Sequence, residues 1–403
     1  MKKAFLGILC AAVLTMHSAF AELVTLSELK QQLPERLQMT VTTKEGKTIE
    51  VNAPIILPDG DTMPVVLVQS ATFDLTDLYR VFPHPDYFEK NVRMVAETRA
   101  YKGSPMMQLF AEEKPNRLTG KADTTVRTRL SQGEKPPEND VSVDEIMAFI
   151  YENIERFGCD TEPDIRVIKA TANSGLYSMK KYKTSEGWTE YTINEKKPVK
   201  NAGKGMWHLD LAQFMYGVRI FDRYYPYASY QGPDNPNHWQ PPVSIHCDYM
   251  DEKYFNILMM LAKETDILLQ DAQLLSYDAL VRVLQERMKE GKLRNIYGLT
   301  LGYSIKIVKG DACWTDDTYR DYNVDARFVL VPEWEILGFD EQDAATAKSL
   351  GLVEPTKEMI LEPEIYSRYG LSYDVRMDAS TGAFILDFEA LEYDLNKHGG
   401  EFH

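Results

Sequence analysis

Glu333 and Glu335 stand two residues apart in the segment Arg327-Phe-Val-Leu-Val-Pro-Glu-Trp-Glu-Ile-Leu-Gly338. Phe328, Leu330, Trp334 and Ile336 recur at every second position, which predicts a strand. Both carboxylates share its other face, about 7 Å apart by strand rise. Two acids at that spacing can divide the work of glycoside hydrolysis where they flank a cleft. Adjacent acids on a strand more often mark a wet face, and that reading is adopted, with hydrolysis as the alternative.

Other reactive types are scattered. His208 and Asp210 are two apart and can share a strand face, where a surface pair is the expectation. In His246-Cys247-Asp248 neighbouring side chains point to opposite faces, so the three are not expected to converge. Ser178-Met-Lys-Lys181 has the Ser-x-x-Lys spacing of penicillin-binding enzymes, but that chemistry needs one helical turn and Leu176–Tyr182 reads as a strand. Asp59-Gly-Asp61 lacks the further acids of an EF-hand and reads as a solvated turn. No His-Glu-x-x-His, Gly-x-Ser-x-Gly, P-loop or dinucleotide fingerprint occurs. Neither a metal nor a cofactor is expected.

The densest binding chemistry lies between 224 and 242. Tyr224, Tyr225, Tyr227, Tyr230 and Trp239 stand among Gln231, Asn235, Asn237 and Gln240. Flat rings beside amides can stack on a sugar or grip a peptide. The competing reading packs the rings down, locking a proline-rich loop onto the core.

Those residues need a frame. The 403 residues include 45 basic and 61 acidic side chains, a net charge of −16. That length predicts two or three domains. No basic run is present to neutralise phosphates, so nucleic acid and anionic membranes are not expected partners. Met1-Lys2-Lys3, an apolar run from Ala4 to Thr15 and Ala19-Phe20-Ala21 form a secretory signal peptide, expected to be cleaved after Ala21. The apolar run is too short to span a bilayer, and no later stretch is long enough. Leu9 stands where a lipobox before Cys10 needs a small residue. Cys159, Cys247 and Cys313 are too widely spaced for a disulfide scaffold or a Cys-x-x-Cys motif, leaving one disulfide or buried thiols open.

After the signal, residues 22–140 read as an α+β region: a helix over Leu26–Leu37 with Ser27 near its start, a hairpin turning at Glu45-Gly46, an extended crossing into a strand, and short helices over Asp74–Phe82 and Asp86–Val95. The poorly patterned Gly103–Asp140 is the expected boundary. Residues 141–272 open on a helix with a Ser142/Glu145 capping box, continue as an antiparallel meander and close on a helix over Tyr249–Leu269. Residues 273–395 start with Ser276 as a helix N-cap, followed by the alternating Tyr297–Ile307, the Phe328–Leu337 strand, an acidic helix-prone insertion over Asp340–Glu364 and a hairpin at Asp378-Ala-Ser-Thr-Gly382. This last stretch is expected to have its own core. Pro332 implies a bulge or a break in strand pairing.

The final helix, the strands after it and the Asp378–Gly382 turn resemble a PepSY-type module. More widely, Leu57-Pro-Asp-Gly-Asp-Thr-Met-Pro-Val65, Phe328-Val-Leu-Val-Pro-Glu-Trp334 and the hairpin at Gly382 are similar to an uncharacterised family of secreted proteins and lipoproteins of Gram-positive bacteria. The chain departs from that pattern in lacking a lipobox and in having Gly217-Val-Arg-Ile220 where relatives carry a Gly-x-Pro-Val-like turn. The resemblance implies no activity; the PepSY comparison implies binding or inhibition by a folded surface. The expectation is an exported α+β protein of antiparallel sheets packed on helices, in two or three units, the last PepSY-like. It would act by binding a protein, peptide or glycan, with an extracellular hydrolase using Glu333 and Glu335 as the alternative.

Overall fold

Thr25, rather than Ser27, opens the first helix. Its hydroxyl accepts from Glu28 N while Thr25 N donates to the Glu28 carboxylate, closing a capping box ahead of α1, Leu26–Gln32. The helix stops short of Leu37 because Pro34 disfavours helical geometry at Leu33, whose backbone is extended. The computed structural model describes residues 23–74, 92–94, 105–113, 141–173, 177–178, 183–184, 187–188, 197–198, 206–221, 243–251, 254–313, 323–340, 374–385 and 392–398. The signal segment, most of the Asp74–Phe82 stretch, the acidic insertion and the 224–239 ring cluster lie outside these residues.

Beyond α1 the hairpin forms as its alternation requires: β1 (Arg36–Thr42) pairs with β2 (Thr48–Ile56), Met39 opposite Val51 and Val41 opposite Ile49. β3 (Val65–Ser70) follows the proline-punctuated crossing. Strand β4 (Val92–Met94) pairs with β5 (Met106–Glu113), so these three residues of the helix expected over Asp86–Val95 are strand; the rest of that stretch lies outside the described residues. Helix α2 (Val143–Arg156) carries the expected Ser142/Glu145 box. After it come β6 (Asp164–Asn173), β7 (Met206–Met215), β8 (Val218–Arg219) and β9 (Ser244–Asp251).

The helix expected over Tyr249–Leu269 is instead β10 (Tyr254–Met260) and β11 (Ala262–Leu269). Phe255, Ile257 and Met259 are buried at a spacing of two. Because Leu258 and Met260 are apolar too, the unbroken run also satisfied a helical stripe, an ambiguity that only the neighbouring strands resolve.

A seven-stranded sheet runs β8-β7-β9-β10-β5-β4, with β6 paired along the other side of β7. Ile146, Ile150 and Ile154 of α2 close one core with Leu209, Leu211, Ile245, Cys247 and Ile257. The second sheet has eight strands. It contains β11 and β3 beside β13 (Arg327–Asp340) and β12 (Leu293–Val308), then β2 and β1. Strand β14 (Asp374–Asp378) extends β13, and Glu392–Tyr393 adds in parallel to β12 before the short helix α4, Leu395–His398. Helix α3 (Tyr277–Lys289), capped by Ser276, buries Leu280, Leu284 and Met288 in this sheet's core.

The fold is therefore α+β, with mostly antiparallel sheets. Hydrogen bonding and packing cross the borders expected at 140 and 272. β4 and β5 belong to the α2 sheet, whereas β2, β3 and β11 complete the sheet of β12 and β13. Leu26, Leu29 and Leu37 share one core with Leu280, Leu284 and Trp334, so the described residues of the 273–395 stretch pack into a core shared with the N-terminal region rather than one of their own. At Leu261 the chain passes from one core to the other: Leu261 belongs to the α2 core and Ala262 to that of α3. The buried Gln213 amide brackets this crossing, accepting from Ala262 N at 2.8 Å and donating to Ala262 O at 2.7 Å.

Pro332 causes no bulge. β3 pairs with residues 327–330 of β13 and β14 with residues 333–337, so the missing N–H falls where one neighbour gives way to the next. In the final turn Asp378 Oδ1 accepts from Ser380 N, Thr381 N and the Thr381 hydroxyl, while Gly382 takes a φ of 73° that suits glycine.

Candidate functional site

β7 and β9 run antiparallel with His208 opposite Asp248 and Asp210 opposite His246. Trp207, Leu209 and Leu211 point toward α2, as do Ile245 and Cys247. Strand alternation then sends His208, Asp210, His246 and Asp248 together to the opposite face. There Asp248 bridges the two rings: Oδ1 lies 2.9 Å from His208 Nδ1, and Oδ2 lies 2.9 Å from His246 Nε2. The rings tilt toward one another at 5.3 Å between centroids. His208 Nε2 lies 3.4 Å from Asp210 Oδ1, so a second carboxylate holds the far side of that ring.

Burial differs across the group. The His208 and Asp248 side chains are only 10% and 7% exposed, while those of His246 and Asp210 are 36% and 53% exposed. A deeply placed carboxylate needs such partners, because leaving it without them carries a large desolvation cost. One donor atom each from His208, His246 and Asp248 lies within 4.8 Å of the others. Two imidazoles and a carboxylate on two adjacent strands can share protons or coordinate a cation.

Local spacing alone makes His208 and Asp210 a surface pair and His246-Cys247-Asp248 divergent. The divergence holds for Cys247, which lies in the α2 core, where burial first and the Asp248 charge second push its thiol up to about 12. It fails for His246 and Asp248, which are two apart and share a face. The usable signal was the pair of period-two motifs, His-x-Asp at 208–210 and again at 246–248, read as partner strands.

Glu333 and Glu335 do share a face of β13, but that face is not wet. Glu333 is fully buried with Lys306 Nζ 3.5 Å away, and Glu335 is 2.8 Å from Arg376 Nη2. The Arg376 guanidinium itself lies 4.0 Å over the Phe221 ring. Buried partner cations explain how the two acids left the surface. The Tyr224, Tyr225, Tyr227, Tyr230 and Trp239 cluster lies outside the described residues. Ser178 lies in a two-residue strand pairing with Lys197, and Lys181 is outside the described residues. At Asp59-Gly-Asp61, Lys30 Nζ donates to the carbonyls of Asp59 and Gly60, and Arg166 pairs with the Asp59 carboxylate at 2.7 Å. That turn is pinned to its neighbours rather than merely solvated. Cys159, Cys247 and Cys313 are free thiols. Among the described residues, no helix is long and apolar enough to cross a membrane.

No protein-family model matches the chain, and no curated protein matches it. Among solved structures, it is similar to the crystal structure of an uncharacterized protein from Eubacterium rectale ATCC 33656. The sequence identity is 12% and the TM-score 0.43, over 88% of this chain and 94% of that one.

Proposed function

We propose that this is an exported protein that acts by binding, as a ligand-holding or regulatory protein, and carries out no carboxylate-based hydrolysis. One observation carries the choice: Glu333 and Glu335 face interior cations at 3.5 Å and 2.8 Å. Hydrolysis of a glycoside needs one protonated acid and one carboxylate open to the sugar. Here both acids are closed off in the interior, Glu333 fully buried and Glu335 only 11% exposed, so neither is open to a sugar. Export is supported by Lys2-Lys3, the apolar run and Ala19-Phe20-Ala21. The PepSY-like reading of the C-terminal stretch rests on α3, β12 to β14 and the Asp378–Gly382 turn, and it implies a binding surface.

The proposed contact segment is Tyr224 to Trp239, for a peptide or glycan ligand. Peptide and glycan arrays should yield a ligand for the mature chain, and Tyr230→Ala or Trp239→Ala should weaken it about thirtyfold, as a hot-spot ring does. Turnover of a glycoside panel that Glu333→Gln abolishes without unfolding the protein would instead establish the hydrolase. Amino-terminal sequencing of secreted material should begin at Glu22; a retained Lys2-Lys3 start would refute cleavage.

A further inference from the structure

We infer that His208, His246 and Asp248 form a binding site for one divalent transition-metal ion of the zinc, cobalt or nickel class, with Asp210 as the positioning residue for His208. This goes beyond the binding role proposed above and does not depend on the 224–239 segment.

Geometry comes first. The three donor atoms lie within 4.8 Å of one another. Tetrahedral zinc with bonds of about 2.0–2.1 Å to nitrogen places its donors about 3.3 Å apart. The widest donor pair must close by up to roughly 1.5 Å while the 2.9 Å His–Asp248 contacts open slightly, movements within reach of side-chain rotation. His246, the most exposed ligand, is free to supply most of it, while His208 and Asp248 are held deep on adjacent strands.

Proton placement agrees with this arrangement. The nitrogens that face Asp248, His208 Nδ1 and His246 Nε2, must carry no proton when they ligate. In His208 the proton then belongs on Nε2, 3.4 Å from Asp210 Oδ1. A carboxylate behind a ligating imidazole fixes its tautomer and ring orientation, the usual outer support of a protein metal site. Asp210 is already in that place.

Donor chemistry selects the ion. Two imidazoles and one carboxylate suit borderline transition metals; calcium and magnesium favour all-oxygen shells. Three protein ligands leave one position of a tetrahedral ion for water or an outside donor atom.

The test uses the purified mature chain stripped with chelator and titrated with Co(II), followed by visible absorption and calorimetry. One equivalent should bind, with ligand-field bands of a low-coordinate site. Zn(II) should displace it, and a hundredfold excess of Ca(II) or Mg(II) should not. His246→Gln, at the exposed position, should lower affinity at least a hundredfold while leaving the unfolding midpoint of the metal-free protein nearly unchanged. Asp210→Asn should lower affinity about tenfold and shift the cobalt bands, a spectral change that a purely structural role would not produce. Asp210→Glu should recover part of the affinity. Wild type that takes up no more Co(II) than the His246→Gln variant would overturn the site, leaving the cluster a carboxylate-bridged histidine pair. Tight uptake that Asp210→Asn leaves unaltered in affinity and spectrum would overturn the role of Asp210.

Discussion

Gly302 of β12 lies directly beneath the ring of Phe221: a Cβ built on Gly302 would come 2.5 Å from Phe221 Cζ and 2.8 Å from Arg219 O. Phe221 follows β8 of the other sheet, and its N–H donates to Tyr303 O at 2.9 Å. Gly302 thus sits where the two sheets are pinned together, with a hydrogen bond beside a bare backbone position. Gly302→Ala should destabilise the protein by about 1–3 kcal/mol through overpacking. In Phe221→Ala the added methyl should cost less, because the ring atoms nearest to it are gone, although the Arg219 carbonyl remains. Denaturant unfolding of the four proteins measures this, and simple additivity would refute the contact.

The interior pair Lys306–Glu333 should behave as a coupled unit. Lys306→Met leaves a carboxylate that is 0% exposed without this cation, and about 3–5 kcal/mol should be lost. Adding Glu333→Gln removes the buried charge, so the double variant should be more stable than Lys306→Met alone. A double variant less stable than both single ones would show that the pair is not coupled as described.

Cys159, Cys247 and Cys313 should each titrate as a thiol without reductant once the chain is unfolded. In the native protein Cys247 should resist a thiol reagent at neutral pH, since burial and then the Asp248 charge push it up to about 12. Half-buried Cys159, also raised by burial, should react first. Mass spectrometry after timed alkylation reads the order directly, and early modification of Cys247 would contradict its place in the α2 core.

Acid should weaken the two capping boxes. Hydrogen bonds from the Ser142 backbone and then its hydroxyl hold the Glu145 carboxyl below its ordinary value, and Thr25 does the same for Glu28. A depressed folded value means the stabilisation is complete above the unfolded value, about 4.3, and is lost as pH falls through the folded one. Glu145→Gln should therefore lower the urea midpoint at about pH 7 and have little effect at about pH 2. An equal deficit at both would show that the carboxylate charge is not what caps the helix. Ser142→Ala should cost about 1 kcal/mol at neutral pH.

Local chemistry was legible where short-range rules decide the outcome. The Ser142 box and the Ser276 cap follow from residue type and spacing, as does the Glu45-Gly46 turn. Tyr297–Ile307 alternates and is a strand; Pro332 does interrupt a pairing. Period two also placed Glu333 with Glu335 and His208 with Asp210 on shared faces. What periodicity cannot supply is which strand lies next to which, because many pairings satisfy the same alternation and the shared core chooses among them.

That choice decided everything bearing on the candidate site. Lys306 and Arg376 turned two apparently wet acids into interior ones, and no local pattern linked those residues to Glu333 and Glu335. β11 left the expected helix because β3 offered it an antiparallel partner from Ala262 to Leu269, with two register shifts along the way. His208 and Asp248, forty positions apart, became directly opposed partners through the β7–β9 register. By itself the sequence determined the faces, caps and turns, since these depend on backbone geometry within a few residues. Only the tertiary structure decided the neighbours, since burying two apolar faces in common cores sets the register that brings two imidazoles to one carboxylate.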